Sequence, residues 1–338
     1  LAVAKNAAQS PLLDLTLADE QVTARCYKQH MPRNKRTTPK KPNQQRSVRQ
    51  KAKAKPKRKP PRFTKSTADR HVLYQESVQA PERDARFFQR YYQKTTGKPL
   101  RVLREDFCGT ALLSCWFVKL HSENRAIGID LHNPTLNWAR KHNVKPLLNE
   151  SQQQRLSLVN DSVLNVLSIK AQLIAVLNFS YSVFHTRALL RAYLANALAS
   201  LDAGGILLMD AWGGPDVMAH KTDRVRHHGF DYLWEQRAYD PISHHIECAI
   251  HFEFRDGTKL KNAFVYDWRL WTMAELRELF TEVGFADVHV LWEGTDLATS
   301  TGNGAFRRKE VGDNDPAFIT YVVGQKPGCK GQNNRRRG

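Results

Sequence analysis

Two hydrophobic periodicities divide the chain. Up to about residue 210, short apolar runs of strand length alternate with stretches whose apolar positions recur at helical spacing. Residues 71–78 and 82–92 read as helices, the second with an aromatic face of Phe87, Phe88 and Tyr91. A first strand is predicted at 100–103, a helix at 111–120 and a second strand at 125–130. Asn133-Pro134 opens a helix to 142, because Asn caps and Pro suits the first helical position. Third and fourth strands follow at 156–161 and 173–178, the fourth apolar enough to be buried on both faces. Thr186 caps a helix to 201, Asp202-Ala-Gly-Gly205 ends it, and 206–210 is a fifth strand. Strands that alternate with helices and end in polar residues describe an open parallel α/β sheet. Its ligand crevice lies at the C-terminal ends of the strands.

From residue 230 to 271 the pattern changes to strict alternation rich in β-formers. Arg255-Asp-Gly-Thr258 separates two such runs, 245–254 and 260–268, which marks a hairpin. Thr272-Met-Ala-Glu275 is a capping box opening a helix to 283, stopped at Gly284. Two last strands, 286–292 and 317–323, surround a polar loop of about twenty residues.

The formal charge of +19 suggests a nucleic-acid partner until its distribution is examined. Residues 31–70 carry 16 Lys and Arg against one acid, and 326–338 carry five bases and no acid. Residues 71–325 hold 28 basic and 29 acidic groups, so the folded body is close to neutral. Residues 32–65 have almost no large apolar side chains and are predicted to be disordered. The run 51–59 resembles a nuclear-localisation or RNA-binding patch. Such a segment binds polyanions such as ribosomal RNA through counterion release, without sequence preference. The expected division is a disordered basic extension at 1–67, one domain at 68–325 with an inserted cover at about 225–271, and a basic tail at 326–338.

The five cysteines (Cys26, Cys108, Cys115, Cys248, Cys329) are scattered, with no CxxC pair, which favours a reducing compartment and no zinc site. No apolar run reaches the length of a membrane span. A cytoplasmic location is expected; a basic N-terminus read as an address would instead direct the chain to an organelle or the nucleus. The pairs His227-His228 and His244-His245 point to opposite faces of a strand, so no metal site is expected from them.

The candidate chemistry starts at Arg104-Glu-Asp-Phe-Cys-Gly-Thr-Ala111. A strand, an acidic pair, a tight turn and a helix place backbone N–H groups at a helix N-terminus. One glycine of a three-glycine fingerprint survives, Gly109, with Phe107 and Ala111 at the outer positions. Asp130 ends the second strand about twenty residues later, where a carboxylate suits ribose hydroxyls. Asp161 ends the third strand, and Asn178-Phe-Ser-Tyr181 follows the fourth.

In this order the elements resemble a class I S-adenosylmethionine-dependent methyltransferase over residues 68–325. Arg104 to Ala111, Leu177-Asn-Phe-Ser-Tyr181 and Tyr266-Asp-Trp-Arg-Leu-Trp271 are similar to a largely uncharacterised bacterial branch of that superfamily. The resemblance implies a Rossmann-like, seven-stranded α/β sheet with an antiparallel β cover inserted after strand five. It implies S-adenosylmethionine as cofactor. Glu105 and the turn Phe107 to Gly109 would contact its methionine part, Asp130 the ribose, Leu131 the adenine face, Asp161 and Ser162 the adenine amino group. Asn178 would lie under the sulfonium. Arg104 would pair either with the cofactor carboxylate or with Glu105 or another acid.

Asn178-Phe-Ser-Tyr181 also has the outline of the Asn-Pro-Pro-Tyr motif of amino-group methyltransferases, with both prolines absent. By that likeness Asn178 and Tyr181 would hold the acceptor, with His185 as a base. In the other reading Tyr181 packs and Asn178 contacts only cofactor. Tyr232, Trp234, Tyr266, Trp268 and Arg269 would form the acceptor side of the cover, with either strand face turned to the pocket. The implied activity is methyl transfer to an O or N acceptor, which is either a small molecule or an RNA or ribosomal component, with the basic tail suited to association with RNA or the ribosome. The alternative is a catalytically weak, methyltransferase-like RNA- or ribosome-binding or assembly factor.

Overall fold

A computed structural model describes residues 62–296 and 301–328 of the 338-residue chain. Of the disorder expected of 1–67 and 326–338, the parts at 1–61 and 329–338 lie outside the described residues, whereas 62–67 is placed, with Phe63 edge-on to Phe230 of the cover.

Asp69 caps α1 (Arg70–Val78), and Pro81 at its first position opens α2 (Pro81–Thr96). The alternating half follows as β1 (Val102–Asp106), α3 (Leu112–Leu120), β2 (Arg125–Ile129) and α4 (Asn133–Ala139). A π-helical segment, Arg140–Val144, leads into two short helical turns, α5 (Lys145–Leu147) and α6 (Glu150–Gln153). Then come β3 (Leu156–Val159), β4 (Ala171–Val176), α7 (Arg187–Ser200) and β5 (Leu201–Gly213). The cover is β6 (Lys221–Arg226), β7 (Phe230–Tyr239), β8 (His245–Phe254) and β9 (Lys259–Arg269). The chain closes with α8 (Met273–Val283), β10 (Ala286–Asp296), β11 (Thr301–Lys309) and β12 (Phe318–Gln325).

The main sheet has the order β3-β2-β1-β4-β5-β12-β10-β11. Strands β1 to β5 pair in parallel, and β12 enters antiparallel between β5 and β10. This is the expected sheet with an eighth strand at its edge. The added strand, β11, occupies the polar loop between the last two predicted strands and pairs antiparallel with β10. Its Arg307, Arg308 and Lys309 are typical of an edge strand, which is why apolar periodicity did not reveal it.

Period-2 alternation divides the core into two layers. Ile174, Val176, Leu207 and Met209 face α7 and α8, while Leu173, Ala175, Ile206 and Leu208 face α2 and α3. Each Val, Leu, Ile or Met side chain so buried contributes about 1.5–3 kcal/mol. Asp202 to Gly205 lies within β5 as a bulge in its pairing with β4, and not beyond a helix end as a free turn. A Cβ at Gly205 would stand 2.9 Å from the carbonyl oxygens of both Asp202 and Gln172, so glycine is required there.

The cover is an antiparallel meander in the order β6-β7-β8-β9, beginning a few residues before the predicted boundary. Gly257 (φ +86°) closes the β8–β9 hairpin at the expected Asp-Gly step. Leu73 of α1 packs with Val225, Phe230, Tyr232, Ile250 and Phe252 on the cover. A second cluster, Trp212, Val217, Ile246, Cys248, Trp268 and Leu270, fastens the cover to the end of β5.

Candidate functional site

β1 extends through the acidic pair, so Arg104, Glu105 and Asp106 are strand residues with alternating directions. Arg104 and Asp106 point to the α7 side and are fully buried. Arg104 Nε and Nη2 donate to the two oxygens of Asp106 at 2.6 and 3.1 Å. Its Nη1 donates to the carbonyls of Val166 and Ile169, and the Tyr193 hydroxyl donates to Asp106 at 2.8 Å. Burial pushes the Asp106 carboxyl up, against the pull of Arg104 and Tyr193. Arg104 therefore belongs to a buried ion pair under α7. Its expected contact with a cofactor is corrected, because every donor of the guanidinium points into the core.

Glu105 faces the opposite way. Its Oε2 accepts from the Ser114 amide at 3.1 Å and the Ser114 hydroxyl at 2.6 Å, at the start of α3. Burial raises its carboxyl to about 7, more than the two Ser114 donors lower it.

The turn after β1 answers what replaces the missing glycines. Phe107, Gly109 and Ala111 have φ of +58°, +51° and +52°. All three positions keep the left-handed conformation, two of them with side chains that pay roughly 1–2 kcal/mol for it. The Phe107 ring packs behind the turn, edge-on to Phe184 at 5.9 Å and tilted against Tyr193 at 5.8 Å, so it does not narrow the crevice. Asn143 donates to the Thr110 carbonyl at 2.7 Å, and Gln75 of α1 donates to the Thr110 hydroxyl at 2.8 Å.

Asp130 joins the turn to the next loop. Its two oxygens accept the amides of Gly109 and His132, each at 2.8 Å. Leu131 beside it is 73% exposed. Asn160 donates to the carbonyls of Asp130 and Leu131, tying the β3 loop to the β2 loop. Asp161 caps its own loop, accepting from the Ser162 amide at 2.6 Å and from Asn165 at 3.0 Å.

After β4 the chain turns through two further left-handed residues, Asn178 (φ +57°) and Phe179 (φ +56°). Their amides donate to the two oxygens of Asp210 at 2.6 and 2.9 Å. Asp210 was legible as the acid ending the predicted fifth strand; β5 in fact runs on to Gly213, and the role of the buried Asp210 as holder of this turn carried no local signal. A cleft opens beside Glu105 and Asn178, lined also by Gln79 of the α1–α2 connection, Arg83 and Asp84 of the first turn of α2, and Glu293, Phe306 and Tyr321. Burial raises Asp84 to about 6 despite Arg83 beside it. Nothing local in the sequence marks Asp84 or Glu293, since they come to one cleft only in three dimensions.

Several expected acceptor residues lie elsewhere. Tyr181 is fully buried among Ile174, Val176 and Leu190, which corrects its catalytic role in favour of packing. Tyr232 and Trp268 are buried, and Trp234 and Tyr266 partly so. These rings pack against one another, against α1 and against Trp212, with Tyr266 and Trp268 centroids 4.3 Å apart. None of them lines the cleft at Glu105 and Asn178. Arg269 stacks on Trp271 at 3.8 Å and pairs with Glu275 at 2.9 Å. His185 is half-exposed and its Nε2 lies 2.8 Å from the Asp267 carbonyl on the cover.

No family model and no curated protein matches the sequence. Solved structures do match. An S-adenosylmethionine-bound amino pentose methyltransferase from Micromonospora echinaspora is 16% identical, with 76% of this chain and 95% of that one covered and a TM-score of 0.54. DesVI from Streptomyces venezuelae is 18% identical, with 76% and 96% covered and a TM-score of 0.55. An S-adenosylmethionine-dependent methyltransferase from Clostridium acetobutylicum is 14% identical, with 76% and 98% covered and a TM-score of 0.54. At these identities the likeness is one of fold. The mixed eight-stranded sheet and the four-stranded antiparallel sheet match the Rossmann-like class I methyltransferase architecture.

Proposed function

We propose that the protein is an S-adenosylmethionine-dependent methyltransferase acting on an O or N acceptor. The observation that carries this reading is the turn from Phe107 to Ala111. It keeps a glycine-type backbone without two of the glycines and is hooked through the Gly109 amide to Asp130. Strain of this kind persists where a loop shape is over-determined, which is characteristic of ligand sites.

The residues present fit the cofactor. A Cβ at Gly109 would meet nothing within 4 Å, so the space over the turn is open. Each Asp130 oxygen accepts one amide and retains a lone pair for a ribose hydroxyl. Leu131 offers an exposed apolar face to adenine, and Asp161 with Ser162 stands at the adjacent strand end. Glu105 and Asn178 line the cleft in which the methionine part would lie; an ammonium there would draw Glu105 into its charged form. Bound in this way, the cofactor supplies a methyl group already activated on a sulfonium. What remains for the chain is to exclude water and to align the acceptor, with Asn178 as the residue best placed to do so. Glu105, Asp84 and Glu293 line the cleft together with Arg83 and offer hydrogen-bond acceptors that suit an acceptor with hydroxyl or amino groups.

The separation of a near-neutral body from basic ends supports association with RNA or the ribosome through residues 32–65. The second reading, a catalytically weak binding or assembly factor, is favoured by one observation: Tyr181 is buried and does not present a ring to an acceptor. Purified protein is incubated with S-adenosylmethionine and, separately, with RNA, ribosomes and a metabolite extract. Formation of S-adenosylhomocysteine with one fraction is expected. Cofactor binding without turnover in any fraction would favour the second reading, and ribosome pelleting that survives deletion of 1–65 would remove the role given to the tail.

A further inference from the structure

Three metal-ligating side chains from distant parts of the sequence meet at the seam between the cover and the loop after β4. His185 precedes the Thr186 cap of α7, His245 opens β8, and Asp267 lies near the end of β9. The β8–β9 register sets His245 opposite Arg269 and Glu247 opposite Asp267, so His245 and Asp267 are diagonal neighbours on one face. His185 Nε2 is 3.4 Å from Asp267 Oδ1, and His245 Nε2 hydrogen-bonds the same oxygen. One ligand atom from each residue lies within 4.8 Å of the other two.

We propose that His185, His245 and Asp267 form a binding site for a divalent transition-metal ion, zinc foremost, that pins the cover to the loop carrying Asn178. Two imidazoles and one carboxylate leave coordination positions for water, the donor set of open zinc and related sites. Zinc–ligand bonds of about 2.0–2.2 Å at tetrahedral angles hold ligand atoms roughly 3.2–3.6 Å apart, close to the spacing of His185 and Asp267. The three side chains are 42%, 43% and 68% exposed, so an ion reaches them from solvent. The nearby cation Arg269 donates to the His185 carbonyl, while its charge is met by Glu275. Glu247 across the register is paired with Arg237. The ion takes the place of the His245–Asp267 hydrogen bond and of the contact of His185 with the Asp267 carbonyl. A His185 engaged in this way is unavailable as a catalytic base. The site is separate from methyl transfer and stands whether or not that activity is found.

The test uses untagged full-length protein stripped with a chelator, then titrated with zinc chloride by calorimetry and with cobalt chloride by visible absorption. One equivalent of each ion is expected, with d–d bands of a low-coordinate cobalt centre that zinc abolishes. His245→Ala and Asp267→Ala each remove an exposed side chain and should weaken binding more than about tenfold, since even outer-shell losses cost that much. His220→Ala, at an exposed histidine outside the cluster, should leave binding unchanged. Absence of one-equivalent binding, or binding that survives either ligand substitution, overturns the proposal.

Discussion

At the crevice, four backbone amides end on two carboxylates: Gly109 and His132 on Asp130, Asn178 and Phe179 on Asp210. At the cover seam the holding is done by rings. Phe179, Trp212, Trp234, Tyr266 and Trp268 pack edge and face at centroid separations from 4.3 to 6.4 Å. Phe179 belongs to both regions, its amide on Asp210 and its ring on Trp212. The crevice concentrates left-handed L-residues, each costing roughly 1–2 kcal/mol, and acids that clamp them. The cover concentrates apolar area and strains the backbone little, with positive φ confined to its turns and to Asn262. A cluster of aromatic residues thus marks packing here, while clamped strain marks the crevice proposed for the cofactor.

The largest effect that bears on this contrast is expected at the seam. Trp268→Ala should cost about 3–5 kcal/mol, read as a lower denaturation midpoint in urea. If stability held and only acceptor affinity fell, the seam would be a binding surface and the contrast would fail. Next is the pH dependence of Glu105. Burial raises its carboxyl from the ordinary 4.5 to about 7, so the folded chain binds that proton more tightly than the unfolded one. Its contribution to stability is therefore full below about pH 4.5 and is lost as pH rises through about 7. The loss amounts to roughly 3 kcal/mol. Glu105→Gln should flatten that part of the stability profile; an unchanged slope would place the titration elsewhere. The smallest effect is expected at Ala111, which is fully buried with a left-handed backbone. Ala111→Gly relieves strain and loses one buried methyl, so thermal unfolding should report a net change under about 1 kcal/mol. A large loss would mean the turn is not strained.

The two regions also differ in how far the sequence revealed them. Local chemistry located Thr186 and Thr272 as caps, Gly284 as a helix stop, and the Asp256-Gly257 hairpin, because each is decided within a few residues. The order of Gly109, Asp130, Asp161 and Asn178 was legible for the same reason, since each acts at a strand end. Arg104 misled because a charged residue beside an acid reads as surface or ligand chemistry, whereas its partner Asp106 is two residues on along a buried strand face. Tyr232, Tyr266 and Trp268 misled because alternation fixes which residues share a face but not what covers it. Asp210 under the Asn178 turn, Asp84 and Glu293 across the cleft, and the meeting of His185 with His245 and Asp267 are products of tertiary folding and carry no local signal.

The central claim is that the Gly109–Asp130 junction is the cofactor crevice. Titration calorimetry of S-adenosylmethionine into the wild-type protein and Asp130→Ala, with unfolding of both followed by circular dichroism, tests it most directly. Loss of hydrogen bonds to a charged group costs about 1.5–3 kcal/mol, so binding to the folded variant should weaken roughly 10–100-fold. Equal affinity in the two proteins, or no affinity in either, would contradict the assignment.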